Sequence, residues 1–239
     1  DYAIVDMASA MKIDSTNADY HHLLSEIYLD YYKSRLALQT MKRCVALYPK
    51  RVPSLLKLAE IQQILKMYDP SMMSVARIMK IEPDNPEGFF MIGLNHTLMG
   101  NKNPSIKALQ RCVELDPDHT DGWVLLGEIF AADGNPLAEQ YFENAILTAP
   151  ENPDVLYNKA SYLHDNDQLD QASSLLKKII KDCKAKDCYY EVISREPSGI
   201  NGNLYSASLW IDTTKNKEIG NDWIGTIQWI GESPFRKYH

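Results

Sequence analysis

A proline that returns at a fixed spacing is the feature that most limits what this chain of 239 residues can fold into. The prolines follow one another at steps of 34, 34 and 33 residues, at Pro49, Pro83, Pro117 and Pro150. A period of this length indicates a stack of similar supersecondary units, each too small to bury an apolar face alone. The spacing therefore predicts a solenoid, and it favours an extended binding surface over a catalytic pocket.

Each unit contains two stripes of apolar residues at helical spacing, separated by turn residues such as Gly100 and Asn101. Small residues, including Ala59 and Gly93, occur where the first helix of a unit should meet the second. A larger side chain at these positions would hold the two helices apart. The pattern predicts an all-α fold built from helix pairs.

The clearest unit carries a recognisable order of residues, namely Trp123, Leu126, Gly127, Phe130, Ala138, Phe142, Ala145 and Pro150. This order resembles the signature of the tetratricopeptide repeat, in which Trp-x2-Leu-Gly-x2-Tyr is followed by Ala, Phe, Ala and Pro. The resemblance covers roughly residues 1–186. It implies a right-handed α-solenoid, the absence of catalysis, and a concave groove lined by the first helix of every unit.

The register divides the chain into a repeat array at 1–196 and a Gly/Trp-rich segment at 197–239. We expect the array to contain a half repeat at 1–15, repeats at about 16–49, 50–83, 84–117, 118–150 and 151–184, and a partial capping helix at 187–196. Because residues 1–15 show the pattern of a second helix alone, we expect the chain to be a fragment, or a processed form, of a longer array.

The last segment alternates apolar and polar residues along Leu204–Thr213 and Asp222–Ile230. Together with its glycines and tryptophans, this alternation favours a two-stranded hairpin. A degenerate helical pair is the alternative, because Ser233 and Pro234 resemble the end of a repeat unit.

Composition excludes several classes of function. The formal net charge of -7 argues against a nucleic-acid partner, and no apolar run is long enough to span a membrane. The six histidines show no zinc-binding spacing, so we expect no metal and no cofactor. Cys44 and Cys112 occupy equivalent core positions, whereas the sequence leaves open whether Cys183 and Cys188 pair.

The resemblance assigns particular positions of each first helix to the groove. Those positions hold Asp19, His22, Glu26, Leu56, Glu60, Glu87, Phe90, Leu94, Asp121, Val124, Glu128 and Tyr157. Carboxylates alternate there with apolar side chains, which predicts a partner segment with basic and apolar residues. Some relatives grip a chaperone's terminal carboxylate with lysine and asparagine at these positions, but this chain lacks both where they are needed.

The sequence thus predicts a non-catalytic scaffold that binds a peptide or helix of another protein in an acidic and apolar groove. The alternative is a structural subunit of a larger cell-envelope assembly that uses its convex face or its C-terminal segment. Tyr31–Ala46 and Arg51–Met67 resemble arrays of Bacteroidota envelope lipoproteins, a resemblance that favours the cell envelope or periplasm over the cytoplasm. The oligomeric state is not predicted.

Overall fold

The structure is a computed structural model that describes residues 2–185. These residues form eleven helices and no strand: α1 (Tyr2–Ile13), α2 (Ala18–Asp30), α3 (Ser34–Leu47), α4 (Val52–Ile64), α5 (Tyr68–Ile81), α6 (Pro86–Leu98), α7 (Lys102–Leu115), α8 (Thr120–Ala131), α9 (Leu137–Thr148), α10 (Pro153–Asp165) and α11 (Leu169–Ala185). The predicted all-α fold is confirmed for this part of the chain. The capping helix at 187–196, the hairpin or helical pair at 197–239, and the side chains of Cys183 and Cys188 lie outside the described residues.

The described residues fall into two compact units, 2–129 and 130–185. In the first unit α2 packs on α3, α4 on α5 and α6 on α7, and each pair contacts the next along the chain. The first helices of these pairs, α2, α4 and α6, are also neighbours of one another. In the second unit α10 packs against both α9 and α11.

The periodic prolines mark the joints between helix pairs, as predicted. Each lies two residues beyond the last residue of a second helix, α3, α5, α7 or α9, and three residues before the first residue of the next first helix. Proline has no backbone N–H and a fixed φ, so it cannot continue the preceding helix. The sequence period is therefore the spacing of these helix ends.

A second periodic feature lies in the turn between the two helices of a pair. In the first unit Tyr32, Lys66 and Gly100 have positive φ angles of 55°, 57° and 75°, at steps of 34 residues. In the second unit Gly134 and Asp167 have φ angles of 64° and 59°. Glycine adopts this left-handed conformation without steric cost, whereas Tyr32 and Lys66 adopt it at a cost in free energy.

One repeat position provides the N-cap of each first helix. Asn17, Asn85 and Asn152 occupy it in α2, α6 and α10, and each side-chain oxygen accepts a backbone N–H, with shortest distances of 2.9, 2.7 and 2.9 Å. Arg51 holds the position in α4 and makes no side-chain cap. His119 holds it ahead of α8, and its Nδ1 atom accepts a backbone N–H at 3.0 Å. The caps of the first unit thus alternate between asparagine and another residue type.

Small residues allow the paired helices to approach closely. The Ser71 hydroxyl donates to the carbonyl of Ala59 at 3.1 Å, and Ser105 donates to the carbonyl of Gly93 at 2.8 Å. A Cβ at Gly93 would lie 2.5 Å from Cγ of Leu109, which is shorter than any real contact of this kind. The predicted requirement for a small residue at this position is confirmed for the α6–α7 pair.

Cys44 and Cys112 are free thiols with no exposed surface, which confirms the core position predicted for them. Cys44 belongs to the apolar cluster of the first unit, together with Met41, Leu55 and Ile61. Among the helices described between residues 2 and 185, none has the length and apolar character needed to cross a membrane.

Candidate binding cleft

A cleft of about 370 Å³ opens where α2, α4 and α6 lie side by side. We call it the first-helix cleft; it is lined by His22, Pro53, Leu56, Lys57, Glu60, Glu87 and Met91. Four of these residues were assigned to the groove from sequence, namely His22, Leu56, Glu60 and Glu87. The structure therefore brings one residue from α2, two from α4 and one from α6 to the same opening.

His22 forms one wall of the cleft and is held by the neighbouring helix. Its Nε2 atom lies 2.8 Å from the hydroxyl oxygen of Ser54, which is itself buried. Burial, and then the nearby Arg51, lower the pKa of His22 below its usual value. The ring is therefore neutral at neutral pH, and it contributes a hydrogen-bonding edge but no positive charge to the cleft.

Two predicted carboxylates share a lysine that sequence reasoning did not assign to the groove. The Lys57 ammonium lies 3.1 Å from Oε2 of Glu60 and 3.7 Å from Oε1 of Glu26. The Lys57 side chain is 17% exposed, against 33% for Glu60 and 54% for Glu26. The acidic part of the cleft thus contains an internal counter-ion.

Glu87 is paired with a histidine from the next repeat. Its Oε2 atom lies 3.1 Å from Nε2 of His119, whose ring also stacks at a centroid distance of 4.9 Å on Phe90. Burial lowers the pKa of His119, but hydrogen bonds to Cys112 and Glu87 raise it, with a net rise to about 10. A protonated Nδ1 atom cannot accept the Gly122 N–H, so the N-cap of α8 opposes that rise.

Asp19 forms an ion pair with Arg51, which holds the N-cap position of α4. Arg51 donates to Oδ1 of Asp19 at 2.7 Å, and the Asp19 side chain is 80% exposed. An ion pair so open to water contributes little to stability. The two pairs, Asp19 with Arg51 and Glu87 with His119, have the same spacing of 32 residues in sequence.

The structure does not bring the predicted apolar groove residues of α6 and α8 to the cleft. Phe90, Leu94 and Val124 are only 4%, 1% and 7% exposed, so they belong to the packed interior. Leu56 is half-buried and lines the opening. Met91, which follows Phe90 directly, and Pro53 line the cleft instead, although sequence reasoning assigned neither to the groove.

The remaining predicted residues lie outside the cleft. Asp121 is exposed in the first turn of α8, and Glu128 is half-buried further along the same helix. Burial raises the pKa of Glu128 to about 8, so this carboxyl group is largely uncharged at neutral pH. Tyr157 belongs to the second unit, where burial, and then Asp165, raise the pKa of its hydroxyl.

One signal in the sequence points to Lys57. It stands three residues before Glu60, and residues at that spacing share one face of a helix.

No group of three His, Cys, Asp or Glu side chains suited to a metal ion occurs in the described part of the chain. The cleft offers carboxylates, one ammonium group and an apolar floor, which suit recognition of a side chain.

Residues 86–119 match the family model of the tetratricopeptide repeat, and this segment spans α6 and α7 of the first unit. The chain thus contains a tetratricopeptide repeat, and its other helix pairs share the fold of tetratricopeptide repeat arrays. Arrays of this repeat are protein-interaction scaffolds, and the chain has the fold of one.

Several solved structures share the fold of this repeat protein. A tetratricopeptide repeat protein from Parabacteroides merdae is 12% identical with a TM-score of 0.65, covering 74% of this chain and 69% of its own. TTC0263 from Thermus thermophilus is 16% identical with a TM-score of 0.63, covering 70% and 92%. PilW, described as a widely conserved type IV pilus biogenesis factor, is 22% identical with a TM-score of 0.60, covering 70% and 78%.

Among curated proteins, a peptide chain release factor homolog from Escherichia coli is 33% identical over 64 residues. The matched segment is 27% of this chain and 31% of that protein, so the chain spans about a third of the relative's length. The comparisons therefore establish the repeat and its fold, but they do not identify a partner.

Proposed function

We propose that this repeat protein is a non-catalytic scaffold whose first-helix cleft binds a segment of another protein with basic and apolar side chains. The observation that carries the proposal is that Glu60 and Glu87 line the same cleft as the apolar side chains of Leu56 and Met91. A lysine or arginine side chain suits such a site, because its alkyl stem can cover the floor while its charge meets the carboxylates.

The exposure of the carboxylates supports a role in binding. The Glu60 and Glu87 side chains are 33% and 46% exposed, so both can reach a partner without unfolding a helix. Glu128 adds little negative charge at neutral pH, because its pKa is raised to about 8. The attraction for a basic segment therefore comes from the carboxylates at and beside the cleft, Glu26 included.

A peptide titration tests the proposal. The probe is a short fluorescent peptide in which lysines and leucines alternate at helical spacing, and binding is followed by anisotropy. Reversal of both cleft charges, in Glu60→Lys/Glu87→Lys, should weaken binding at least about tenfold, because attraction becomes repulsion. The matched control is Glu114→Lys/Asp118→Lys, which makes the same change in net charge at exposed positions in and after α7.

The control should retain the affinity of the original protein, and all three proteins should have the same helical circular dichroism. Equal loss in both variants would show that only net charge matters and would remove the cleft from consideration. Binding should also weaken as salt rises, because the carboxylates are open to solvent.

The second candidate is a structural subunit of a cell-envelope assembly. It is favoured by the likeness in fold to PilW, a type IV pilus biogenesis factor. In that case partners should stay bound to the Glu60→Lys/Glu87→Lys variant and be lost when residues 197–239 are deleted. Fractionation of cells that express the chain should then place it with the envelope.

A further inference from the structure

We propose that Lys57 determines which segments enter the first-helix cleft, because it acts as a tethered competitor for the cation of the partner. This inference rests on the proposed function and adds the residue that controls its selectivity. Lys57 is itself a lining residue, and its ammonium group already occupies the space beside Glu60 and Glu26. A basic side chain that enters the cleft has to replace it.

The geometry allows that replacement. Lys57 and Glu60 belong to the same helix, three residues apart, so their ion pair joins no separate elements of the fold. The contact of Lys57 with Glu26 crosses from α4 to α2, but at 3.7 Å it is the longer of the two. The carboxylates are one third and one half exposed, and ion pairs open to water are weak. The flexible lysine stem can swing its charge into solvent without moving α4.

The other basic side chain near the cleft, that of His119, cannot be displaced in this way. His119 is fixed by three contacts: Glu87, the ring of Phe90 and the N–H of Gly122. Its side chain is only 11% exposed. Among the described residues that line the cleft, Lys57 is the one lysine or arginine.

Two consequences follow for binding. Loss of the Lys57 charge leaves Glu60 and Glu26 without their internal partner, which should strengthen binding of a basic peptide roughly three- to thirtyfold. The gain should be absent for a peptide in which every lysine is replaced by glutamine, because no cation then competes with Lys57. Lys57 thus weakens the binding of every basic ligand, so that only ligands with enough additional contacts bind in the cleft.

The experiment compares Lys57→Gln with the original protein, using the same lysine–leucine peptide and its glutamine counterpart. Lys80→Gln is the matched control, since Lys80 is an exposed lysine of α5 away from the cleft and the loss of charge is identical. Lys57→Met is a second variant that keeps an apolar stem over the cleft floor. Circular dichroism verifies the fold of each protein.

The expected result is tighter binding of the lysine peptide by both Lys57 variants, a change within about twofold for Lys80→Gln, and no gain for the glutamine peptide. Equal affinities of Lys57→Gln and Lys80→Gln, with the original protein also binding, would overturn the role of Lys57 and leave the proposed function intact. If only the Lys57 variants bind the lysine peptide, the result supports the role of Lys57 as a competitor for the cation of the partner. Failure of every protein to bind the lysine peptide would overturn both proposals.

Discussion

Replacement of Gly93 by alanine should destabilise the α6–α7 pair, and the size of the effect follows from the structure. The added Cβ would lie 2.5 Å from Cγ and 2.7 Å from Cδ2 of Leu109, a residue with no exposed surface. Cγ is the branch point of leucine, so the whole side chain has to move, and overpacking of this kind costs about 1–3 kcal/mol. Alanine recovers about 1 kcal/mol of helix propensity. The expected net loss is about 0–2 kcal/mol.

The preceding repeat shows how the cost can be removed. There Ala59 takes the place of Gly93 and Val75 takes the place of Leu109, each 34 residues earlier, and all four residues are buried. Leu109→Val alone should cost about 1 kcal/mol for the lost methylene. In the double variant the smaller valine leaves room for the new Cβ, so Gly93→Ala should then be neutral or stabilising.

The assay is urea denaturation followed by circular dichroism for the original protein, both single variants and the double variant. Hydrogen exchange of residues 86–115 locates the change, because a repeat array need not unfold in one step. Gly100→Ala is the control, because an added Cβ there would meet nothing within 4 Å. Alanine at this position should be destabilising through the φ of 75° alone and not through overpacking. Additive effects of Gly93→Ala and Leu109→Val, with no coupling energy, would refute the reasoning.

Three further changes test other features of the fold. Arg51→Asn should raise stability by about 1 kcal/mol in a thermal melt, because Arg51 has the extended backbone of the asparagine caps and its ion pair is exposed. Tyr32→Gly should raise stability by up to about 1 kcal/mol, because Tyr32 has a φ of 55° and is 96% exposed; a lower melting temperature would contradict this. Burial raises the pKa of Glu128 from 4.5 to about 8, so the folded state should lose stability as pH rises between these values. Glu128→Gln should remove that loss, by at most about 4 kcal/mol, and parallel pH profiles of the two proteins would disprove the shift.

The helix pairs could be predicted because the prolines and small residues record their ends and contacts directly. His22, Leu56, Glu60 and Glu87 could also be assigned to one surface, because equivalent positions of successive first helices recur with the repeat. The repeat register could not separate Phe90 from Met91. A helix turns by about 100° per residue, so a small rotation decides which of two neighbours faces the opening and which is buried.

The net charge of the cleft could not be predicted from the sequence either. Counting carboxylates overlooks Lys57, which contacts two of them, and it treats Glu128 as charged although burial raises its pKa to about 8. Both effects depend on what surrounds a side chain in three dimensions. The structure therefore shows a cleft that is smaller than the predicted acidic groove and that contains the Lys57 ammonium group beside its carboxylates.

The alternation of the N-caps has a consequence for the length of the array. Asn17 and Asn85 cap their own helices. Arg51 and His119 each reach back to a carboxylate of the preceding first helix, and His119 also caps α8. Excision of one repeat, 51–84, would place Asn85 where Arg51 stands and leave Asp19 without its cation. Excision of two repeats, 51–118, would place His119 there and retain a residue that can reach Asp19. Because the exposed Asp19–Arg51 ion pair contributes little to stability and asparagine is a better cap than arginine, the first unit should tolerate shortening by one repeat as well as by two.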